Sequence, residues 1–162
     1  MKNIFIGLLL ITHIGLLSNC KVQSSMQNQL TIHPLRLKPG QDLKIEIQNY
    51  VQKNNIKAGW ISTCVGSFTD YSIRFANQPN NSTGKGFFEI VSLTGTVSIN
   101  GSHLHVSISD STGKTIGGHL ANGCKIYTTA EIILICTNDF EFTRENDGTT
   151  PWKELSIKNN KK

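Results

Sequence analysis

Three histidines lie at spacings that suit a metal site. His103 and His105 belong to the run Ser102–Val106 and are separated by one residue. Because alternate residues of a β-strand face the same side, this spacing places both imidazoles on one face of a strand. His119 follows the pair Gly117-Gly118, which lets the backbone approach a neighbour closely, and it offers a third ligand. Three histidines with an open fourth position are a ligand set for a zinc-class ion.

The same spacing is also typical of an ordinary amphipathic strand at the surface. In that alternative, His103 and His105 are solvent-facing polar residues and His119 lies in a loop. Both interpretations place the apolar residues Leu104 and Val106 on the opposite face, toward the core. An H-x-H motif does not decide between the two alternatives, so both stay open at this point.

A single carboxylate interrupts a long apolar run. Glu131 lies in the stretch Ala130–Cys136, where an acidic side chain either faces solvent or is buried beside a cation such as Arg36 or Arg74. The functional alternative makes Glu131 the candidate catalytic residue, a general base near the metal. The sequence contains no HExxH motif, no CxxC motif and no paired acidic motif. It therefore favours a binding protein over an enzyme, with a metal-assisted hydrolase or lyase as the alternative.

The first residues of the chain are typical of an export signal. Lys2 precedes the apolar run Ile4–Leu17, which is shorter than a membrane-spanning helix. The ending Leu17-Ser18-Asn19-Cys20 resembles a bacterial lipobox, although its third residue is unusual for that motif. We expect residues 1–19 to be a signal peptide, Cys20 to be lipidated, residues 20–29 to be a flexible tether, and the protein to be a cell-envelope lipoprotein on the periplasmic or surface side. The alternatives are an uncleaved anchor and a signal cut elsewhere.

The composition is that of one small globular domain. The chain has 162 residues, of which 38% are hydrophobic and 17% charged. Three of its positive charges lie in the last five residues, 158–162, which we expect to be a disordered basic tail. No basic stripe runs through the domain, so the net charge of +5 does not indicate a nucleic-acid surface. If Cys20 carries lipid, one disulfide or none can form among Cys64, Cys124 and Cys136.

The remaining pattern predicts one helix and many strands. Apolar residues recur at helical spacing between Asp42 and Lys53. Gly95 is expected to mark a bulge or a close approach of two backbones. We predict an α+β fold, a single compact domain with a twisted, mainly antiparallel sheet and one main helix. Strands are expected over residues 30–37, 60–68, 72–76, 87–99, 103–109 and 125–137, with 140–144 closing the sheet.

Six motifs follow one another along the chain: Arg36–Leu43, Cys64–Phe68, Gly86–Thr96, Gly101–Asp110, Gly117–Leu120 and Thr128–Glu131. This ordered series resembles the PPC domain, named for its occurrence in plants and prokaryotes. The resemblance covers about Leu30 to Leu155 and places the domain at residues 30–157. It implies a compact domain that assembles as a homotrimer. It also implies that His103, His105 and His119 match histidines proposed to hold a metal in some prokaryotic members.

The resemblance also bears on partners. In plants the domain follows an AT-hook and mediates protein interaction through a segment that resembles Gly-Arg-Phe-Glu-Ile-Leu. Here Phe87 replaces the arginine and Val91 the leucine, and the chain has no Arg-Gly-Arg-Pro core, so no nucleic acid is expected. The sequence thus predicts an exported homotrimer that binds zinc or another divalent transition metal, or a small ligand. The alternative is a protein-interaction module whose histidines have no metal or catalytic role.

Overall fold

The computed structural model of the chain describes residues 29–160. The predicted signal peptide, the lipidated Cys20 and the tether up to residue 28 lie outside the described residues. No helix within 29–160 is both long and apolar enough to cross a membrane. The elements are β1 (Leu30–Leu37), α1 (Leu43–Lys53), β2 (Gly59–Arg74), β3 (Ser82–Ser98), β4 (Gly101–Ser109), β5 (Thr115–Leu120), β6 (Lys125–Thr137), β7 (Phe140–Glu145) and β8 (Glu154–Asn159).

The predicted helix is confirmed, and one buried aspartate fixes its start. The Asp42 side chain accepts a hydrogen bond from the Ile45 N–H at 3.3 Å, which caps the first turn. Its other carboxylate oxygen accepts from the Gly123 N–H at 2.6 Å and lies 3.7 Å from Lys125 Nζ, so the same residue ties the helix to the strand behind it. The helix buries one apolar face on the sheet, formed by Leu43, Ile47 and Val51.

A single antiparallel sheet forms most of the domain, as predicted. Its six strands run in the order β1-β6-β2-β3-β4-β5, and the C-terminal end of β2 also pairs with β5. That extra pairing joins the strands β2, β3, β4 and β5 into a closed ring. The ring encloses much of the core, whose largest fully buried side chains include Phe68, Ile73, Leu104, Ile108 and Leu120.

Two glycines allow the ring to close. A Cβ at Gly118 would lie 2.6 Å from the Arg74 carbonyl oxygen, and one at Gly117 would lie 2.8 Å from the Val106 carbonyl oxygen. Real Cβ atoms do not tolerate such distances to backbone, so β5 can lie against both β2 and β4 only with glycine at these positions. The expected close approach at Gly117-Gly118 is confirmed.

The long strands differ in detail from the predicted ones. β2 runs without interruption from Gly59 to Arg74, whereas two separate strands were expected there. Within this strand Gly66 is a point of close approach, because a Cβ at that position would collide with the Thr129 carbonyl oxygen. Gly95 is likewise a close-approach point, against the carbonyl oxygen of His103, while the irregularity in the β3–β4 register lies between Ile90 and Ser92.

The C-terminal part of the described chain forms a separate hairpin. β7 pairs with β8 in a two-stranded sheet of its own, so the expectation that residues 140–144 close the main sheet is wrong. β8 extends through Lys158 and Asn159, where a disordered tail was expected, because these residues complete the ladder opposite β7. The hairpin docks on the ring through the Phe142 N–H, which donates to the Lys57 carbonyl at 3.0 Å, and through the Arg144 N–H, which donates to Asn100 Oδ1 at 3.1 Å.

The three cysteines of the described chain are free thiols. Cys64 and Cys124 are buried, and burial raises the pKa of the Cys64 thiol to about 12 and that of Cys124 to about 11. Cys136 is half-buried, and its sulfur lies 3.3 Å from His33 Nε2. The sequence left open either one disulfide or none among these three cysteines, and the structure has none.

Candidate metal centre

Strand pairing aligns the residues around the histidine site in one row across neighbouring strands of the closed ring. His119 on β5 is paired directly with His105 on β4, and His105 is paired on its other side with Thr94 on β3. The ring closure adds Arg74 of β2 directly opposite His119. Directly paired residues face the same side of a sheet. His103, two residues before His105, therefore completes a cluster on that face.

The three imidazoles converge as the spacing predicted. His103 Nε2 and His105 Nε2 lie 3.2 Å apart, and the available nitrogens of the three residues lie within 4.8 Å of one another. Nitrogen ligands of a tetrahedral zinc ion, each about 2 Å from the metal, lie about 3.3 Å apart. The first pair is already at that separation. A shift of about 1.5 Å in the widest pair, within reach of side-chain rotation, would complete the set.

One nitrogen of the cluster lacks any partner. Nδ1 of His119 is buried and makes no hydrogen bond. A buried polar atom without a partner costs about 1–3 kcal/mol, so such atoms in a folded protein indicate a missing ligand or a strained site. The donor set, the separations and this unpartnered nitrogen all fit a bound metal ion.

The surroundings of the cluster favour neutral imidazoles. Burial, reinforced by the charge of Lys44 and by the neighbouring His103, lowers the pKa of His119 to about 4. Burial also lowers the pKa of His103, with the Arg144 guanidinium as the next cause. Because only a deprotonated ring nitrogen can bind a metal, these shifts keep His103 and His119 available as ligands at neutral pH.

Two open clefts meet at His103. One has a volume of about 330 Å³ and extends along β3, and the other has a volume of about 380 Å³ and extends toward His119. The first is lined by Thr94, Gly95, Thr96, His103, His105, Arg144, Glu154 and Leu155. The second is lined by Arg74, Gly101, Ser102, His103, His119, Arg144, Trp152, Lys153 and Glu154. Both clefts thus have one wall of histidines and another from the C-terminal hairpin and the loop between its strands.

Glu131 does not belong to this site. It is exposed on β6 and pairs with Arg36 on β1 and with Val65 on β2. Val65 is nine residues before Arg74, the β2 partner of His119, which corresponds to roughly 30 Å of strand length. Strand pairing therefore does not bring Glu131 to the histidines, and it gives no support to the expectation that Glu131 acts as a base near the metal. Its position is the exposed alternative, and no ion pair with Arg36 or Arg74 forms within the described chain.

The other local expectations are met in part. Leu104 and Val106 are buried, as predicted for the face opposite the histidines. His119 lies within β5 rather than in a loop, and it is half-buried, as is His103, while His105 is exposed. The surface-strand alternative therefore describes His105 only.

Sequence reasoning missed the residues that face the histidines. Arg74 was considered only as a partner for Glu131, and Arg144, Trp152 and Glu154 were not considered as site residues. The position of Arg74 depends on the ring closure, and the other three depend on where the hairpin docks. The only local signal was the apolar alternation at Leu155 and Ile157, which could have indicated β8.

Comparisons with known proteins agree with the fold. The model of the Plants and Prokaryotes Conserved (PCC) domain matches residues 24–137. A solved protein structure from Salmonella cholerae-suis is 35% identical, with a TM-score of 0.80 over 83% of this chain and 97% of that chain. A plant- and prokaryote-conserved (PPC) protein from Pyrococcus horikoshii is 26% identical, with a TM-score of 0.63 over 82% of this chain and 98% of that chain.

Two further proteins resemble this chain, one in its fold alone and the other over only part of its own length. A metal-containing protein from Archaeoglobus fulgidus has the same fold, with a TM-score of 0.68, 23% identity and coverage of 80% of this chain and 96% of that chain. The bifunctional protein GlmU of Synechococcus sp. (strain JA-3-3Ab) is 41% identical over 128 residues. That stretch is 79% of this chain and 21% of the Synechococcus protein, so the chain spans about a fifth of that relative.

The depressed pKa of His119 predicts an acid-sensitive metal-free protein. Between pH 6.5 and pH 4 the unfolded chain binds a proton at His119 while the folded chain does not, so stability falls as the pH falls through this window. His119→Asn should reduce the loss of melting temperature across the window, because asparagine does not titrate. Thermal unfolding in the presence of a chelator, followed by circular dichroism at several pH values, measures this slope. His33→Asn is the control, and equal slopes in the His119→Asn variant and the unmodified protein would contradict the prediction.

Proposed function

The chain belongs to the Plants and Prokaryotes Conserved domain family, and we propose that it binds a divalent transition metal through His103, His105 and His119. The observation that carries this proposal is the convergence of three imidazoles whose nitrogens lie within 4.8 Å of one another. The unpartnered, buried Nδ1 of His119 supports it independently. A set of imidazole ligands favours zinc or a neighbouring first-row metal over calcium or magnesium, which prefer oxygen ligands.

Such a site would do more than hold the ion. Three neutral ligands leave the metal its full double charge and an open position for a small ligand, whose oxygen the metal would polarise. The clefts beside His103 give a small molecule access to that position. The Archaeoglobus fulgidus protein with the same fold is described as metal-containing, which makes this fold compatible with a metal. No catalytic base is assigned, because Glu131 lies elsewhere.

Replacing two of the three histidines should abolish metal binding. The full-length chain in detergent, loaded with zinc and then dialysed, is expected to carry about one ion per chain in native mass spectrometry. The double variant His103→Ala/His105→Ala should carry none. His33→Ala is the matched control, because His33 lies outside the cluster and bonds Tyr50 and Cys136 instead.

A different result would favour the alternative function. If the unmodified chain retains no zinc, cobalt or nickel, or if the double variant retains as much as the His33→Ala control, the metal proposal fails. The chain would then be better described as a protein-interaction module, and its exposed apolar face would become the candidate functional surface.

We also propose that the chain forms a homotrimer. What supports assembly is an apolar surface on the side of the sheet that faces away from the core. Phe87 is 65% exposed and packs at 4.7 Å between ring centroids against Tyr127, which is also exposed. Exposed apolar side chains that pack on each other are typical of protein interfaces. Leu30, Ile32, Val65 and Val91 are exposed at other positions of the same sheet.

A charge placed on this apolar face should weaken the assembly. Phe87→Asp is expected to shift native mass spectra from the trimer toward the monomer, because the carboxylate would lose water at the interface without gaining a partner. Ile45→Asp is the matched control, since Ile45 is also an exposed apolar residue but lies on the outer face of α1. A monomeric unmodified chain, or a trimer that Phe87→Asp leaves intact, would contradict the proposal.

We also propose that the protein is exported and anchored at the cell envelope. The lipobox-like ending at Cys20 supports export and anchoring at the cell envelope. Expression of the full-length chain in a bacterial host should yield a protein with a mass increment from acyl chains, and Cys20→Ala should lack it. Cys136→Ala is the control, and an unmodified mass for the full-length chain would rule out the lipid anchor.

A further inference from the structure

Two arginines face the histidine cluster without a direct ion pair to a carboxylate. Arg74 and Arg144 both line the 380 Å³ cleft with His103 and His119. Within residues 29–160, the ion pairs shorter than 4.0 Å are Lys85–Asp70 and Lys125–Asp42, and neither involves these arginines. Both arginines are half-buried residues. Half-buried cations in a protein are usually neutralised by a nearby anion.

Both guanidinium groups are held in place with donors to spare. Arg144 donates from Nη2 to Thr96 Oγ1 at 3.1 Å, on the strand next to the histidines. Arg74 lies 5.1 Å above the ring of Trp152 and donates to the Gln78 carbonyl at 3.5 Å. A guanidinium carries five N–H donors. These contacts orient each group and leave most of its donors available for a planar or tetrahedral oxyanion.

The charge of the cleft is strongly positive. Lys153 adds a third cation to the two arginines, and Glu154 is the one carboxylate that faces the same space. Glu154 accepts a hydrogen bond from Thr150 Oγ1 at 2.6 Å. Burial lowers the pKa of Arg144, and the charge of Glu154 offsets part of that shift. A divalent metal on neutral histidines would add two further positive charges. The positive charges of the cleft outnumber its single carboxylate, so the cleft attracts a further anion.

We propose that this cleft is a binding site for a small oxyanion, a carboxylate or a phosphate group. Resting on the proposed metal function, one oxygen of the anion would bind at the open metal position, and the second oxygen of a carboxylate, or the remaining oxygens of a phosphate, would accept hydrogen bonds from Arg144 and Arg74. The arginines alone would still bind the anion, more weakly, in the metal-free protein. A volume of about 380 Å³ suits a small molecule rather than a polymer.

The position of Trp152 provides a direct measurement. Because its ring lies against Arg74, an anion that binds the arginine should change tryptophan fluorescence. The full-length chain, zinc-loaded and metal-free, is titrated with acetate, with inorganic phosphate and, as a control without the geometry of an oxyanion, with chloride. Saturation by acetate alone identifies a carboxylate site and saturation by phosphate alone a phosphate site. The same titrations are repeated on variants, with zinc content measured in parallel by native mass spectrometry.

Arg144→Gln should weaken anion binding about tenfold or more, because a charge-assisted hydrogen-bond pair is lost. Arg144→Lys should weaken it less, since the charge remains, and this variant separates a binding role from a structural one. Arg36→Gln is the matched control, because Arg36 lies beside Glu131 at the other end of the sheet and bonds Thr129. Zinc content should be unchanged in all three variants.

Failure of this inference and failure of the metal proposal give different results. Retained zinc with no saturable oxyanion response, or with equal affinities in Arg144→Gln and Arg36→Gln, overturns the anion site and leaves the metal site in place. Absence of zinc overturns the metal proposal, and the metal-free titration still decides the anion site. Saturation by chloride at the same concentrations as by the oxyanions would also overturn it, because the site would then respond to charge alone.

Discussion

The short pairing between the end of β2 and β5 is the contact on which the rest of the structure depends. It consists of two residue pairs, Ile73 with Leu120 and Arg74 with His119. The first pair lies in the core, where both side chains are fully buried, and the second lies on the outer face, where the histidine cluster forms. The same backbone contact therefore closes the core and assembles the site. It exists only because glycine at position 118 lets the Arg74 carbonyl approach.

Electrostatics at the outer face follow from that geometry. Burial of His119 between β2 and β4 removes water from its ring, and burial is the largest cause of its lowered pKa. Lys44 and Arg74 add to this effect, because positive charge nearby disfavours a protonated imidazole. The lowered pKa of His119 and the position of Arg74 beside it thus both follow from the pairing of β2 with β5.

Local patterns in the sequence were enough to predict several parts of this arrangement. The helix from Leu43 was predictable because its apolar spacing and its Asp42 cap are both local. The shared face of His103 and His105 followed from strand periodicity, and the contribution of His119 followed from the pair of glycines before it. The rest depends on contacts between distant segments. No local pattern indicates that residues 140–159 form a separate hairpin against the β3–β4 turn. Nor does any local pattern indicate that Glu131 pairs with Val65 of β2, whereas His119 pairs with Arg74 at the other end of that strand.

The separate hairpin has a consequence for how relatives should be compared. The matched family region ends at Thr137, before β7 begins, yet Arg144, Trp152 and Glu154 form one wall of the clefts. The histidines and the wall that faces them are thus encoded in different stretches of the chain. Mutation can alter one stretch while the other is preserved, so two members with the same three histidines can differ in the residues that face them. Similarity within the matched region is therefore a guide to shared architecture, whereas the wall opposite the histidines has to be compared in the segment that follows it.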